Sequence, residues 1–124
     1  MKVLITGGAG FIGSTLVKYL IDNTDYIIIN IDKLSYSGNL ESIKNIIDSD
    51  RHIFEQVDIC DIENITRIFK QYSPDSIIHL AAESHVDRSI DHPQTFINTN
   101  IVGTANLLEI TRKYWNELAE DKKC

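Results

Sequence analysis

At 124 residues, with 43% hydrophobic and 24% charged side chains, the chain has the length and composition of one soluble globular domain. Its net charge of −6 and pI near 5.1 argue against a basic phosphate-backbone footprint, so no nucleic-acid partner is expected. The longest apolar runs, such as Tyr26 to Ile29, are far too short to cross a bilayer, and "MKVLI" breaks at Thr6 and Gly7 without a cleavage site, so a cytoplasmic protein with no membrane partner is expected.

In chain order, "KVLIT" (Lys2 to Thr6) reads as a first strand, and Ile12, Leu16 and Leu20 share one face of a following helix. "YIIINI" (Tyr26 to Ile31) is a second strand, "LSYSGNL" (Leu34 to Leu40) a loop, and Ile43, Ile46 and Ile47 a second helical stripe. "HIFEQV" (His52 to Val57) is a third strand, and Ile62, Ile65, Phe69 and Tyr72 form a third stripe. "SIIHLA" (Ser76 to Ala81) is a fourth strand. After it Pro93 opens a helix capped by Asp91 or His92, with Ile97, Ile101, Ala105 and Leu108 on one face and an end beyond Tyr114. The strands are continuous apolar runs, as expected where helices cover both faces of a parallel sheet. The order predicts an α/β, Rossmann-like, doubly wound parallel sheet with strand order 3-2-1-4, truncated after the fourth strand and its following helix.

"TGGAGFIG" stands between the first strand and the first helix, with Gly7, Gly10 and Gly13 at the three spaced positions. There Gly7 suits a tight turn, Gly10 a close approach of backbone to a pyrophosphate, and Gly13 the packing of helix on strand. The second strand ends at Asp32, where a carboxylate accepts from ribose hydroxyls and repels a 2′-phosphate, which favours NAD over NADP. Lys33 beside it is a base that could instead pair with that phosphate. Asp58 closes the third strand as a candidate for the adenine amino group or as a helix cap, a role open to Asp61 as well. At the fourth strand's end, Ala81 and Ala82 leave room for a cofactor ring, and Ser84, His85, Asp87 and Arg88 follow. His79 reads as a packed strand histidine. Cys60 and Cys124 fall in no Cys/His cluster, so neither a disulfide nor a metal site is expected; Cys60 reads as packing and Cys124 as a frayed terminus.

Taken together, "TGGAGFIG", "NIDKLSYSGNL", "DICD", "HLAAESHVDRSI" and "FINTNIVGTANLLE" resemble the amino-terminal part of the dTDP-glucose 4,6-dehydratases, which are extended short-chain dehydrogenase/reductases. The resemblance runs to about Trp115, and "AAESHVDRS" with "DKLSYSGN" carries it more specifically than the glycines, which UDP-glucose 4-epimerases share.

The resemblance implies that residues 1–124 are part of an NAD-binding domain whose second half and substrate domain are absent. It implies that Phe11 and Ile12 line the pyrophosphate turn, that Asp32, Lys33, Leu34 and Ser35 surround the adenosine ribose, and that Asp58 and Ile59 meet the adenine. Leu80, Ala81, Ala82, Glu83 and Ser84 would pass the nicotinamide side, and Thr99 would touch the cofactor. Ser84, His85 and Arg88 would reach the sugar nucleotide, dTDP-glucose. The family's reaction removes a hydride from C4, eliminates water across C5 and C6 and returns the hydride to C6. It relies on a Tyr-x-x-x-Lys pair, and none of the five tyrosines here has lysine four positions later. No catalytic residue is therefore assigned, and the short chain is expected to be inactive alone. Other readings remain: a non-catalytic dinucleotide-binding or interaction module, one half of a split enzyme, or an epimerase-like nucleotide-sugar enzyme. A homodimer through Gln94 to Glu117, or association with a missing carboxyl-terminal half, is the expected partnership.

Overall fold

A computed structural model describes residues 1–35 and 38–123, so Tyr36 and Ser37 of the expected loop, and Cys124, lie outside the described residues. Four isoleucine- and valine-rich runs make one parallel sheet in the order β3-β2-β1-β4: β1 is Lys2–Thr6, β2 Ile27–Ile31, β3 His52–Glu55 and β4 Ser76–His79. The register places Thr6 beside Ile31 on one side and beside His79 on the other, so the carboxyl ends of the three strands meet at one edge. β3 and β4 stop two residues short of their predicted ends. Beyond them the Val57 and Leu80 N–H groups still donate to the Asp32 and Thr6 carbonyls as the chain turns over the edge.

Period-2 alternation sends Leu4, Ile29 and Ile31 to one face, against Ile65, Ile68 and Phe69 of α2 (Ile62–Tyr72) and Leu107 and Ile110 near the carboxyl end. Val3, Ile5 and Ile28 go to the other face, against Val17 and Ile21 of α1 (Phe11–Asn23) and against Ile43 and Ile46. Covering on both faces is why the strands lack a polar stripe.

The predicted helical stripes are corrected in three places. In α1 the buried line runs through Gly13, Ser14, Val17 and Ile21. Leu16 and Leu20 flank it, while Ile12, in the first turn over the sheet edge, is 70% exposed. The second crossover forms only a 3₁₀ turn, Leu40–Ile43, followed by turns that bury Ile43 and Ile46 and leave Ile47 outside. A short helix α3, Val86–Asp91, precedes α4, Pro93–Phe96, whose N-cap is His92; α4 runs through a π-helical stretch, Ile97–Gly103, into α5, Thr104–Glu117.

The third correction lies in this last helix. The inward line is Thr99, Gly103, Leu107 and Ile110, each two positions beyond the predicted face, because a hydroxyl and a glycine take the contact side in the first half of the helix. The predicted face of Ile97, Ile101, Ala105 and Leu108 points outward. Gly103 permits the approach: a Cβ there would lie 2.7 Å from the Ile59 side chain.

Candidate functional site

The carboxyl edge of the sheet opens into a crevice of about 470 Å³ between the β1–α1 turn and the loop after β4. Its first wall is backbone. Gly7 has φ 74°, which favours glycine, and donates its N–H to the Ile31 carbonyl at 2.8 Å. A Cβ on Gly7 would sit 2.7 to 2.8 Å from the Leu80–Ala81 backbone, and one on Gly13 would sit 2.0 Å from the Gly7 carbonyl oxygen. Gly10 meets only that oxygen, at 3.3 Å, and otherwise faces open space. Helix α1 begins here with no side-chain cap at Gly10 and no acidic residue in its first turn, so its leading N–H groups suit an anion. Phe11 and Ile12 project beside them, largely exposed.

Gly8, which the glycine spacing did not single out, is as constrained as Gly13: its Cβ would fall 2.0 Å from Asn30 Oδ1. Asn30 is fully buried in β2, with Nδ2 3.2 Å from His52 Nε2. The signal was present as a lone amide in the otherwise aliphatic run "IIINI".

The floor is Asp32, 8% exposed, whose two carboxylate oxygens accept from the Ala9 N–H at 3.0 Å and the Leu34 N–H at 2.8 Å. The acid thus ties the glycine turn to the end of β2 and keeps further lone pairs for a ligand. Asp58 accepts from Cys60 N–H at 2.9 Å and lines the crevice; Asp61 is the residue that caps α2, accepting from Asn64 N–H. Lys33 turns across the crevice: its ammonium lies 3.2 Å from Glu83, 3.7 Å from Asp58 and 3.3 Å from Thr99 Oγ1.

The opposite wall is held by side chains. The buried Thr6 hydroxyl accepts from Leu80 N–H and Ala81 N–H, each at 3.2 Å, and lies 2.6 Å from His79 Nδ1. With both lone pairs engaged, its proton is directed to Nδ1; the ring proton then sits on Nε2, which donates to Thr104 Oγ1 at 3.0 Å. Burial pushes His79 below its ordinary pKa and keeps the ring neutral, so it serves as a bridge from β1 through β4 to α5. From the π stretch, Asn100 pairs twice with the Glu83 backbone, accepting its N–H at 2.8 Å and donating to its carbonyl at 2.9 Å. Neither Thr6, Thr104 nor Asn100 stood out in the sequence, because their partners are 17 or more residues away.

Of the residues nominated from sequence, Gly7, Gly10, Phe11, Ile12 and Gly13 line the crevice on one side. Asp32, Lys33, Ser35, Asp58 and Ile59 line its base. Leu80, Ala81, Ala82, Ser84, His85 and Thr99 line the far side. Leu34, Glu83 and Arg88 do not. Leu34 is turned by a φ of 56°, and Glu83 and Arg88 face an adjoining cavity of about 300 Å³, which Lys33 and Ser35 share. Ile31, Gly38 and Val57 are further lining residues. The crevice carries the uncapped start of α1 on one side and Asp32 at its base; no tyrosine–lysine pair faces it among the described residues.

A family model described as GDP-mannose 4,6 dehydratase matches residues 4–124. The dTDP-glucose 4,6-dehydratase of Salmonella typhimurium is 64% identical over 123 residues, which are 99% of this chain and 34% of that protein. The crystal structure of dTDP-glucose 4,6-dehydratase from Bacillus anthracis, in complex with NAD, superposes with a TM-score of 0.83 at 39% identity, covering 93% of this chain and 34% of that one. UDP-glucose 4-epimerase from Thermotoga maritima, with UDP-glucose, gives 0.82 at 41% identity, covering 92% and 35%. The chain therefore spans about a third of the length of the relatives it matches.

Proposed function

The chain belongs to the GDP-mannose 4,6 dehydratase family, and from that premise we propose that its crevice binds NAD. The observation that carries the reading is the cradle in which Gly7 and Gly13 leave no room for a Cβ, beside the uncapped start of α1 and facing the Asp32 carboxylate. In this reading the pyrophosphate rests on the Gly7–Gly13 turn beside Phe11 and Ile12, and Asp32, Lys33 and Ser35 border the adenosine ribose. Asp58 and Ile59 border the adenine; Leu80, Ala81, Ala82, Ser84 and Thr99 border the nicotinamide side. Bound there, NAD supplies a reversible hydride acceptor. The chain's own residues bind and orient it.

The whole protein to which these residues correspond acts, in this proposal, as a dTDP-glucose 4,6-dehydratase, with Ser84 and His85 at the mouth of the crevice and Arg88 beside it toward the sugar nucleotide. The 124 residues contain no Tyr-x-x-x-Lys pair, and in this proposal they do not turn over dTDP-glucose alone. The fold similarity to the Thermotoga enzyme favours a second reading, a 4-epimerase; identifying the sugar product made by the whole protein separates the two. The outward stripe of Ile97, Ile101 and Leu108 is the proposed homodimer contact, and β4, an edge strand among the described residues, the proposed docking place for a carboxyl-terminal half.

Calorimetric titration of the chain with NAD tests the proposal. One site per chain, with no conversion of dTDP-glucose, is expected; the absence of heat at millimolar NAD contradicts it.

A further inference from the structure

Lys33 is the only lysine or arginine lining the main crevice among the described residues, and it follows directly after the ribose acid Asp32. A 2′-phosphate on the adenosine would be placed near Asp32 and would need a cation there. The Lys33 ammonium, however, is committed elsewhere. It pairs with Glu83 at 3.2 Å, has Asp58 at 3.7 Å and donates to the buried Thr99 hydroxyl at 3.3 Å. Glu83 is 7% exposed and lines only the adjoining cavity, so it draws the ammonium from behind the crevice wall. Its backbone is fixed by the two Asn100 bonds from the π stretch, which gives the carboxylate a set position.

We propose that Glu83 is a selectivity residue: by holding Lys33 against the far wall it withholds the counter-ion a 2′-phosphate would need, and so enforces NAD over NADP. The inference rests on the crevice being a dinucleotide site. It differs from repulsion by Asp32 alone, because it makes the preference depend on a pair 50 positions apart, joined across the sheet edge.

The test is to measure the dissociation constants of NAD and NADP for the native chain, Glu83→Gln, and Glu83→Gln with Lys33→Met. Freed from its partner, the ammonium can swing toward a phosphate, so Glu83→Gln should lower the NADP-to-NAD ratio of dissociation constants about tenfold. The double variant should return the ratio to within about twofold of native, because the cation itself is gone. If Glu83→Gln does not fold, Glu83→Asp takes its place: the shorter acid withdraws from Lys33 and the ratio falls about threefold. An unchanged ratio with NAD binding retained overturns the selectivity role alone. Loss of folding in both single variants assigns Glu83 a purely structural role and overturns it too. Absence of NAD binding by the native chain overturns the dinucleotide reading, and the selectivity proposal with it.

Discussion

The two walls of the crevice are built on different principles. The β1–α1 wall is made by prohibition: Gly7, Gly8 and Gly13 sit where any Cβ would meet backbone or Asn30 within 2.9 Å. The wall after β4 is made by attachment. Thr6, His79 and Thr104 form one chain of hydrogen bonds, and Asn100 holds the Glu83 backbone by two more. The first wall fails by overcrowding and leaves nothing to repair; the second fails by leaving polar groups unpaired, in graded steps.

The largest effect should come from the prohibited wall. Gly13→Ala sets a methyl group 2.0 Å from the Gly7 carbonyl oxygen, so the turn must open. A loss of about 3 kcal/mol or more is expected, read as a fall of over about 10 °C in the thermal midpoint with NAD binding abolished. A native-like midpoint with NAD still bound would erase the distinction between the walls.

His79→Leu should come next. It leaves the Thr6 and Thr104 hydroxyls without their partner, at a cost of about 2 kcal/mol in denaturant unfolding. The pH dependence sharpens this. Burial holds the folded His79 below its ordinary 6.5, and His52 likewise, despite the Ile47 carbonyl pulling His52 back up. The unfolded chain takes up those protons first, so stability is complete above pH 6.5 and declines as pH falls below it. His79→Leu should lessen that decline and leave the part due to His52; an unaltered slope would show that the His79 ring is not held neutral.

Asn100→Ala should have the smallest effect on stability, about 1 kcal/mol, because Asn100 is only half-buried and water can reach the freed Glu83 groups. Weakening of NAD binding by about threefold is expected alongside, since the Glu83 segment carries Ala82 and Ser84 into the crevice. An unchanged dissociation constant would detach Asn100 from the wall's function.

The same division decides what the sequence disclosed. Strand positions, sheet order and the glycine turn follow from local pattern, because an aliphatic run or a glycine before a helix needs only its neighbours for interpretation. Gly8 was passed over because its reason lies in Asn30, a residue of another strand. The inward face of the last helix begins with Thr99 and Gly103, a hydroxyl and a glycine, so the isoleucines Ile97 and Ile101 that mark a face in the sequence lie outside it. The second crossover looked helical from Ile43, Ile46 and Ile47, yet two anchoring isoleucines suffice for a 3₁₀ turn. From the sequence alone Lys33 is a base that could pair with a 2′-phosphate. The carboxylate it pairs with, Glu83, is 50 positions on, and only the fold brings it within reach.

In the proposed site the amides of the first βα turn and the Asp32 carboxylate hold an adenine dinucleotide. Amide chemical-shift mapping by NMR during an NAD titration tests it most directly. Saturable shifts are expected at Gly7, Gly10, Gly13 and Asp32, with Ile65, Ile68 and Phe69 of α2, which pack against the sheet and do not line the crevice, unmoved. Shifts confined to other surfaces, or none at millimolar NAD, would contradict it.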